Sequence, residues 1–199
     1  MSEIVKKINK ASLWLMELGS EVESIANSSV GEKYKIMLLM TYIDIFSKIW
    51  SIYSEDTDRK QKEIFIAWMD KFMFSNSNEN YKNGVNNIGN INSELFYKIR
   101  NSLVHFSSIP NVDNVRIFIT SDNKSEFCNR YPDEIKEEKI IVLSTKILFP
   151  IFIQAVIYTI EEMAKQNDKY ESTMLNIVNK LGKESCLLIK EKRGRYPFI

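Results

Sequence analysis

The stretch KYKIMLLMTYIDIFSKIWSIY, residues 33–53, decides the fold, because it predicts a helix that is apolar on nearly all of its sides. The helix is expected over residues 32–53, after the break NSSVG at residues 27–31. A helix without a polar face is not stable on a surface, so this one is expected at the centre of a helical bundle. The rest of the chain must then supply the elements that cover it.

Apolar positions at helical spacing predict further helices around the central one. The helical run that begins at Ser93 starts with a residue suited to capping and must end before Pro110. The apolar run ILFPIFIQAVIYTI at 147–160 contains Gln154 and Pro150 and is too short to span a bilayer, so it indicates a buried helix. The predicted helices cover residues 3–26, 59–74, 93–106, 145–166 and 168–192.

Two kinds of segment interrupt the helical pattern. SNSNENYKNGVNNIGNIN, residues 75–92, is rich in Asn, Ser and Gly and has no period, so it is expected to be a loop. VRIFIT at 115–120 and KIIVLS at 139–144 are β-branched runs of strand length. We expect them to form a small β-hairpin.

The predicted fold is an all-α helical bundle of about five helices with a small β-hairpin insertion around residues 115–144. The length favours a single domain over residues 1–199, with the excursion at 110–144 inserted into it. The 27 Lys and Arg residues nearly cancel the 26 Asp and Glu residues, which excludes a global basic field of the kind that nucleic-acid-binding proteins use. Any contact with RNA is therefore expected to be local.

The cysteine and histidine content bounds the chemistry. Two cysteines and one histidine exclude a disulfide framework and a His-rich metal centre, so neither a metal nor a cofactor is expected. The first residues, MSEIVKKINKASLWLMELG, lack the continuous apolar region of a signal peptide. Reduced thiols and the absence of a membrane-spanning run together favour a cytoplasmic protein with no membrane partner.

The segment YKIRNSLVHF, residues 97–106, holds the only histidine of the chain. On a helix Asn101 and His105 lie one above the other, with Ser102 beside them, and the long side chain of Arg100 can turn toward the same strip. A guanidinium, an amide and an imidazole suit a phosphate, because one binds its oxygens and another moves a proton near neutral pH. The alternative is that His105 is a satisfied core histidine and Arg100 an ordinary solvated or salt-bridged residue.

The string R-N-S-L-V-H at 100–105, on a late helix of an all-helical chain, resembles the signature of the HEPN superfamily. The similarity extends over the helical core, about residues 3–106 and 145–192, and leaves out the insertion. It implies a metal-independent endoribonuclease of toxin or defence type, which acts as a homodimer with two motif helices forming one composite cleft. It also implies that Arg100 and His105 are the catalytic pair.

The same resemblance makes Asn101 the polar residue that orients the catalytic pair. One position departs from the family pattern. Some toxin members carry a tyrosine two positions after the histidine, which a partner nucleotidyltransferase modifies, whereas this chain has Ser107. Control of that kind is therefore not expected, although an antitoxin protein remains a possible partner.

Asp44 and the C-terminal segment are the remaining candidates. A carboxylate inside the central helix would be costly without a partner. Asp44 or Tyr42 is therefore expected either to support Arg100 or His105, or to reach solvent or a structural arginine. The end of the chain, KEKRGRYPFI, is the one basic and aromatic cluster, and it is either an RNA contact or a frayed solvated end. Its candidate RNA-binding residues are Lys192, Arg193 and Arg195.

Together with the resemblance, these residues predict an endoribonuclease whose partners are RNA and a second copy of the chain. One histidine per chain means that a site with two histidines needs two chains. Two alternatives stay open: the same dimer as a non-catalytic module that binds RNA, a nucleotide or a partner protein, and a purely structural partner of another protein.

Overall fold

The computed structural model describes residues 3–56, 58–84, 92–106, 111–112, 115–121, 130–132 and 139–184. Over these residues the protein is all-α with a small β insertion, as the sequence predicted. The helices are α1 (Glu3–Asn27), α2 (Glu32–Tyr53), α3 (Gln61–Trp68), α4 (Glu79–Gly84), α5 (Ser93–Phe106), α6 (Thr145–Ala164) and α7 (Asn167–Glu184). A π-helical turn, Met69–Met73, continues α3, and the strands are β1 (Asn111–Val112), β2 (Val115–Thr120), β3 (Arg130–Pro132) and β4 (Lys139–Ser144).

Helix α2 lies at the centre of the bundle and contacts α1, α3, α5, α6, α7 and β2. Its apolar side chains account for much of the core, because six of them are almost completely buried. The burial is not equal on all sides, since Tyr34 and Leu38 in its first half remain exposed. The six buried side chains are Ile36, Leu39, Met40, Ile43, Phe46 and Ile49.

Helices α2 and α6 are both long and apolar enough to cross a membrane by length and composition alone. About half of each apolar window is buried inside the bundle, 50% in α2 and 44% in α6. Within α6, Thr159 accepts a hydrogen bond of 3.0 Å from the indole nitrogen of the buried Trp68. In each helix the buried part of the window packs in the core of the bundle.

The predicted hairpin is wrong in its topology. Strands β2 and β4 pair in parallel, from Val115 opposite Lys139 to Thr120 opposite Ser144. The sheet order is β1-β2-β4-β3, with β1 antiparallel to β2 and β3 antiparallel to β4. A hairpin needs a short turn, whereas residues 121–138 separate these strands, which leaves room for the crossover that a parallel pair requires.

The Asn-rich segment, predicted as a loop, contains helix α4 because Asn78 organises it. The Asn78 side chain is completely buried, and its Oδ1 accepts a hydrogen bond of 3.0 Å from the backbone N–H of Tyr81, which caps α4. Its Nδ2 donates to the carbonyl oxygens of Phe72 and Ile151, at 3.0 and 2.9 Å. One amide thus joins the π-helical turn, α4 and α6.

We expect Asn78→Asp to lower the free energy of unfolding by about 2–4 kcal/mol, because a buried carboxylate oxygen would then face two carbonyl oxygens. The control is Asn80→Asp, the same change at an exposed position whose amide also donates to α6, where the loss should stay below about 1 kcal/mol. Urea unfolding followed by circular dichroism measures both. Equal losses in the two variants would contradict the role of Asn78.

Glu32 connects the starts of α2 and α6. Thr145 donates a hydrogen bond to its carboxylate, and the buried Lys35 pairs with it at 3.1 Å while also donating to the Ala26 carbonyl at 3.2 Å. Burial acts to raise the pKa of Glu32, but the hydrogen bond from Thr145 and the pairing with Lys35 outweigh it and hold the pKa below its usual value.

Because the pKa of Glu32 is lower in the folded protein, its charge stabilises the fold above the ordinary pKa of 4.5, and this contribution is lost as the pH falls through the lowered value. Glu32→Gln should therefore cost about 0.5–1.5 kcal/mol at pH 7, and this cost should shrink as the pH falls through the lowered pKa. Unfolding free energies across that range test the prediction. Thr145→Ser, which keeps the donor, should retain the wild-type pH dependence.

Candidate active site

Arg100 on α5 is held by Asp44 on α2. Its Nε and Nη2 both approach Oδ2 of Asp44, at 2.7 and 2.6 Å, and each side chain is 17% exposed. This geometry follows from the positions of the two residues, since Asp44 lies on the flank of the central helix that α5 covers. The carboxylate inside the apolar helix has its cationic partner, and that partner is the arginine of the motif.

Two amides complete the cluster around this ion pair. Asn101 accepts a hydrogen bond of 2.9 Å at its Oδ1 from Nη1 of Arg100. Gln61, the first residue of α3, donates from Nε2 to Oδ1 of Asp44 at 3.1 Å. Both carboxylate oxygens of Asp44 therefore accept hydrogen bonds, and three helices meet at the cluster of Asp44, Gln61, Arg100 and Asn101.

The hydrogen bonds fix the orientation of the guanidinium plane. A guanidinium has a side edge, formed by Nε and Nη2, and an end edge, formed by Nη1 and Nη2. The side edge of Arg100 faces Asp44, so the end edge is turned away from that carboxylate. Tyr97 lies one turn earlier on α5, and its ring centroid is 5.9 Å from Cζ of Arg100. The same ring packs edge-on against the buried Phe65 of α3.

Tyr42 contacts α1, which corrects its expected position beside the motif helix. Its hydroxyl donates to Oε2 of Glu21 on α1 at 2.7 Å. Burial raises the pKa of Tyr42, and the hydrogen bond to this carboxylate raises it further. Tyr42 precedes Asp44 by two positions, which is about 200° around a helix, so the two side chains leave α2 in nearly opposite directions.

The remaining candidates divide between positions inside and outside the described part of the chain. His105 lies on α5 one turn after Asn101, but its side chain is outside the described residues. Ser102 is half-buried on the same helix. The candidate RNA-binding residues Lys192, Arg193 and Arg195, like Ser107, lie outside the described residues.

Gln61 was missed by the sequence reasoning, although the sequence carries a signal for it. It stands three, four and seven positions before three buried apolar residues of the same stretch, so it shares their face of α3. A polar residue on an apolar stripe indicates a buried hydrogen-bonding partner. The three apolar residues are Ile64, Phe65 and Trp68.

The described residues contain no group of three or more His, Cys, Asp or Glu side chains that is arranged to hold a metal ion. The cluster itself joins one carboxylate to a guanidinium and two amides, which is a set suited to orienting an arginine rather than to binding a cation. The described contacts of the cluster hold the guanidinium of Arg100 between α2 and its own helix.

Comparison with known proteins finds no match to this chain among family models, curated proteins or solved structures. The interpretation of the cluster therefore depends on its own residues and geometry.

The Asp44–Arg100 pair should contribute coupling energy because both groups are largely removed from solvent. We expect Asp44→Asn or Arg100→Met to lower the free energy of unfolding by about 2–4 kcal/mol each. The double variant should lose at least 1 kcal/mol less than the sum of the two losses. Urea unfolding of the four proteins in this double-mutant cycle measures the coupling.

The matched control is the exposed pair of Lys62 and Glu94, which also joins two helices, at 3.0 Å. The same cycle there, with Lys62→Met and Glu94→Gln, should give a coupling below about 1 kcal/mol. A coupling at Asp44 and Arg100 that does not exceed the control would mean that the pair is a surface contact.

Proposed function

We propose that this protein is a metal-independent endoribonuclease of toxin or defence type, which acts as a homodimer. The observation that carries the proposal is the orientation of Arg100, fixed by Asp44 and Asn101, on the helix that also bears His105. Five positions separate Arg100 from His105, which is about 7.5 Å along a helix. The R-N-S-L-V-H string adds its resemblance to the HEPN signature, and RNA supplies a substrate whose cleavage needs no metal.

The proposed reaction is an intramolecular transesterification. The 2′-hydroxyl of a ribose loses its proton to one imidazole, and its oxygen forms a bond to the adjacent phosphorus. The bond from phosphorus to the 5′-oxygen breaks, and a second imidazole protonates that oxygen as it leaves. The guanidinium of Arg100 stabilises the negative charge on the phosphoryl oxygens. The products are a 2′,3′-cyclic phosphate and a 5′-hydroxyl.

The dimer follows from the histidine count. Each chain has one histidine, so a reaction that uses one imidazole as base and another as acid needs two chains. A two-fold axis beside α5 would bring the two copies of His105 to one cleft. Asn101 orients the guanidinium, and Asp44 supports it from α2. Ser102 shares the same helix.

The proposal also names the substrate, the partners and the cellular location of the protein. Its substrate is RNA, and Lys192, Arg193 and Arg195 at the end of the chain are proposed to contact the RNA backbone. Its other partners are a second copy of the chain and, in a toxin system, an antitoxin. We place it in the cytoplasm, without a membrane partner, where its two cysteines stay reduced.

The alternative is a non-catalytic module that binds RNA, a nucleotide or a partner protein. The observation that favours it is the ion pair itself, because Asp44 already balances the charge of Arg100 within one subunit. A guanidinium whose charge is already balanced gives less stabilisation to the extra negative charge of a transition state, which fits binding better than cleavage. Binding without cleavage by the wild-type protein would support this alternative.

We expect His105→Ala to reduce RNA cleavage by about 10²- to 10⁴-fold, because proton transfer by a positioned side chain is worth that much. Arg100→Lys, which keeps the charge but loses the planar fork of donors, should reduce it by at least about tenfold. Asn101→Ala should cost less than either. Cleavage of a fluorescent single-stranded RNA measures the rates, and the products should carry 2′,3′-cyclic phosphate ends.

The melting temperature of each variant is the control, because a core histidine would affect stability and leave the activity per folded molecule unchanged. Wild-type cleavage should persist in EDTA. Full activity in a destabilised His105→Ala protein would end the ribonuclease proposal. Sedimentation that shows a monomer at micromolar concentration would contradict the composite cleft.

A further inference from the structure

We propose that Gln61 is a positioning residue, which orients the catalytic guanidinium of Arg100 through Asp44. The inference builds on the proposed function, since it names the group that sets the geometry of the same site. Gln61 does not contact Arg100 by any described hydrogen bond. Its amide nitrogen donates to Oδ1 of Asp44 at 3.1 Å. Oδ2 of the same carboxylate accepts hydrogen bonds from Nε and Nη2 of Arg100.

The argument begins with the freedom of a carboxylate. An aspartate whose Cβ is fixed by a helix can still rotate about the bond to its carboxyl group, because that torsion is broad. A hydrogen bond to one oxygen removes this rotation and fixes the position of the other oxygen. Gln61 supplies that bond to Asp44 from α3, which is a different helix from the one that carries Arg100.

The consequence for Arg100 follows from its planar head. Nε and Nη2 converge on one carboxylate oxygen, so the plane of the guanidinium turns with that oxygen. Asn101 constrains Nη1 from the motif helix itself. With both constraints, the direction of the end edge is set. Without the bond from Gln61, Asp44 still pairs with the guanidinium but no longer determines its plane.

The neighbouring residue of α3 provides a comparison. Lys62 also joins α3 to α5, through Glu94 at 3.0 Å, but both side chains are largely exposed and neither contacts Asp44. If Gln61 only attached α3 to the bundle, then loss of the Lys62 contact would have a similar effect. If Gln61 acts through Asp44, then only changes at Gln61 should affect the guanidinium.

The test uses three variants of the full chain: Gln61→Leu, which removes the donor at similar volume, Gln61→Glu, and Lys62→Gln as the control. The Nε–H signal of Arg100 in a ¹⁵N-labelled sample, assigned by its loss in Arg100→Lys, reports the ion pair directly. We expect this signal to shift and to exchange faster with water in Gln61→Leu, and to stay at its wild-type position in Lys62→Gln. This readout does not depend on nuclease activity.

The Gln61→Glu variant adds a test by pH. Above the pKa of the introduced carboxyl, this group has no donor and repels Asp44, so the Arg100 signal should be displaced. When protonated, it has nearly the shape of glutamine and donates again, so the wild-type signal should return as the pH falls through the pKa of the introduced carboxyl, which Asp44 raises and Arg100 lowers. A residue that only filled space would give no such recovery.

On RNA, Gln61→Leu should lower kcat about five- to tenfold and leave KM within about twofold, because orientation acts at the transition state. An Arg100 signal that is unchanged in both Gln61 variants, or that is displaced equally in Lys62→Gln, would overturn the role of Gln61. Absence of cleavage by the wild-type protein would instead overturn the proposed function, and the Arg100 signal would still decide the role of Gln61.

Discussion

The ion pair between Asp44 and Arg100 is the interaction on which the arrangement of the bundle depends. Helix α2 is apolar enough to require neighbours on most of its sides, and it carries a carboxylate on one of the covered flanks. Such a group is tolerated only where donors reach it. Those donors come from α3 and α5, so the need to satisfy one side chain also fixes how two helices pack against the central one.

This dependence explains what was predictable from the sequence. The period of apolar residues predicted the central helix at residues 32–53, as observed. A core helix can be found in this way because its apolar side chains must be buried when the chain folds. The cost of burying Asp44 required a partner, and the sequence narrowed its identity to a few residues. The helical pattern also placed Arg100 and Asn101 on one stretch of α5.

Other features depended on contacts between distant segments, and a local pattern does not record these. The direction in which β2 and β4 pair is decided by the path of residues 121–138, whereas each strand taken separately has the composition of either arrangement. Helix α4 depends on Asn78 reaching a carbonyl of α6, which lies 73 positions later in the chain. The role of Gln61 depends on α3 beginning its buried stripe beside Asp44, which lies on another helix.

The separation of the pair along the chain has a consequence for biosynthesis. Asp44 and Arg100 are 56 positions apart, so α2 leaves the ribosome well before its cationic partner. During that interval the Asp44 carboxylate has no guanidinium partner, so burying it would be costly and it favours contact with water. The contact that joins α2 to α5 through this pair can therefore form only after Arg100 has been synthesised.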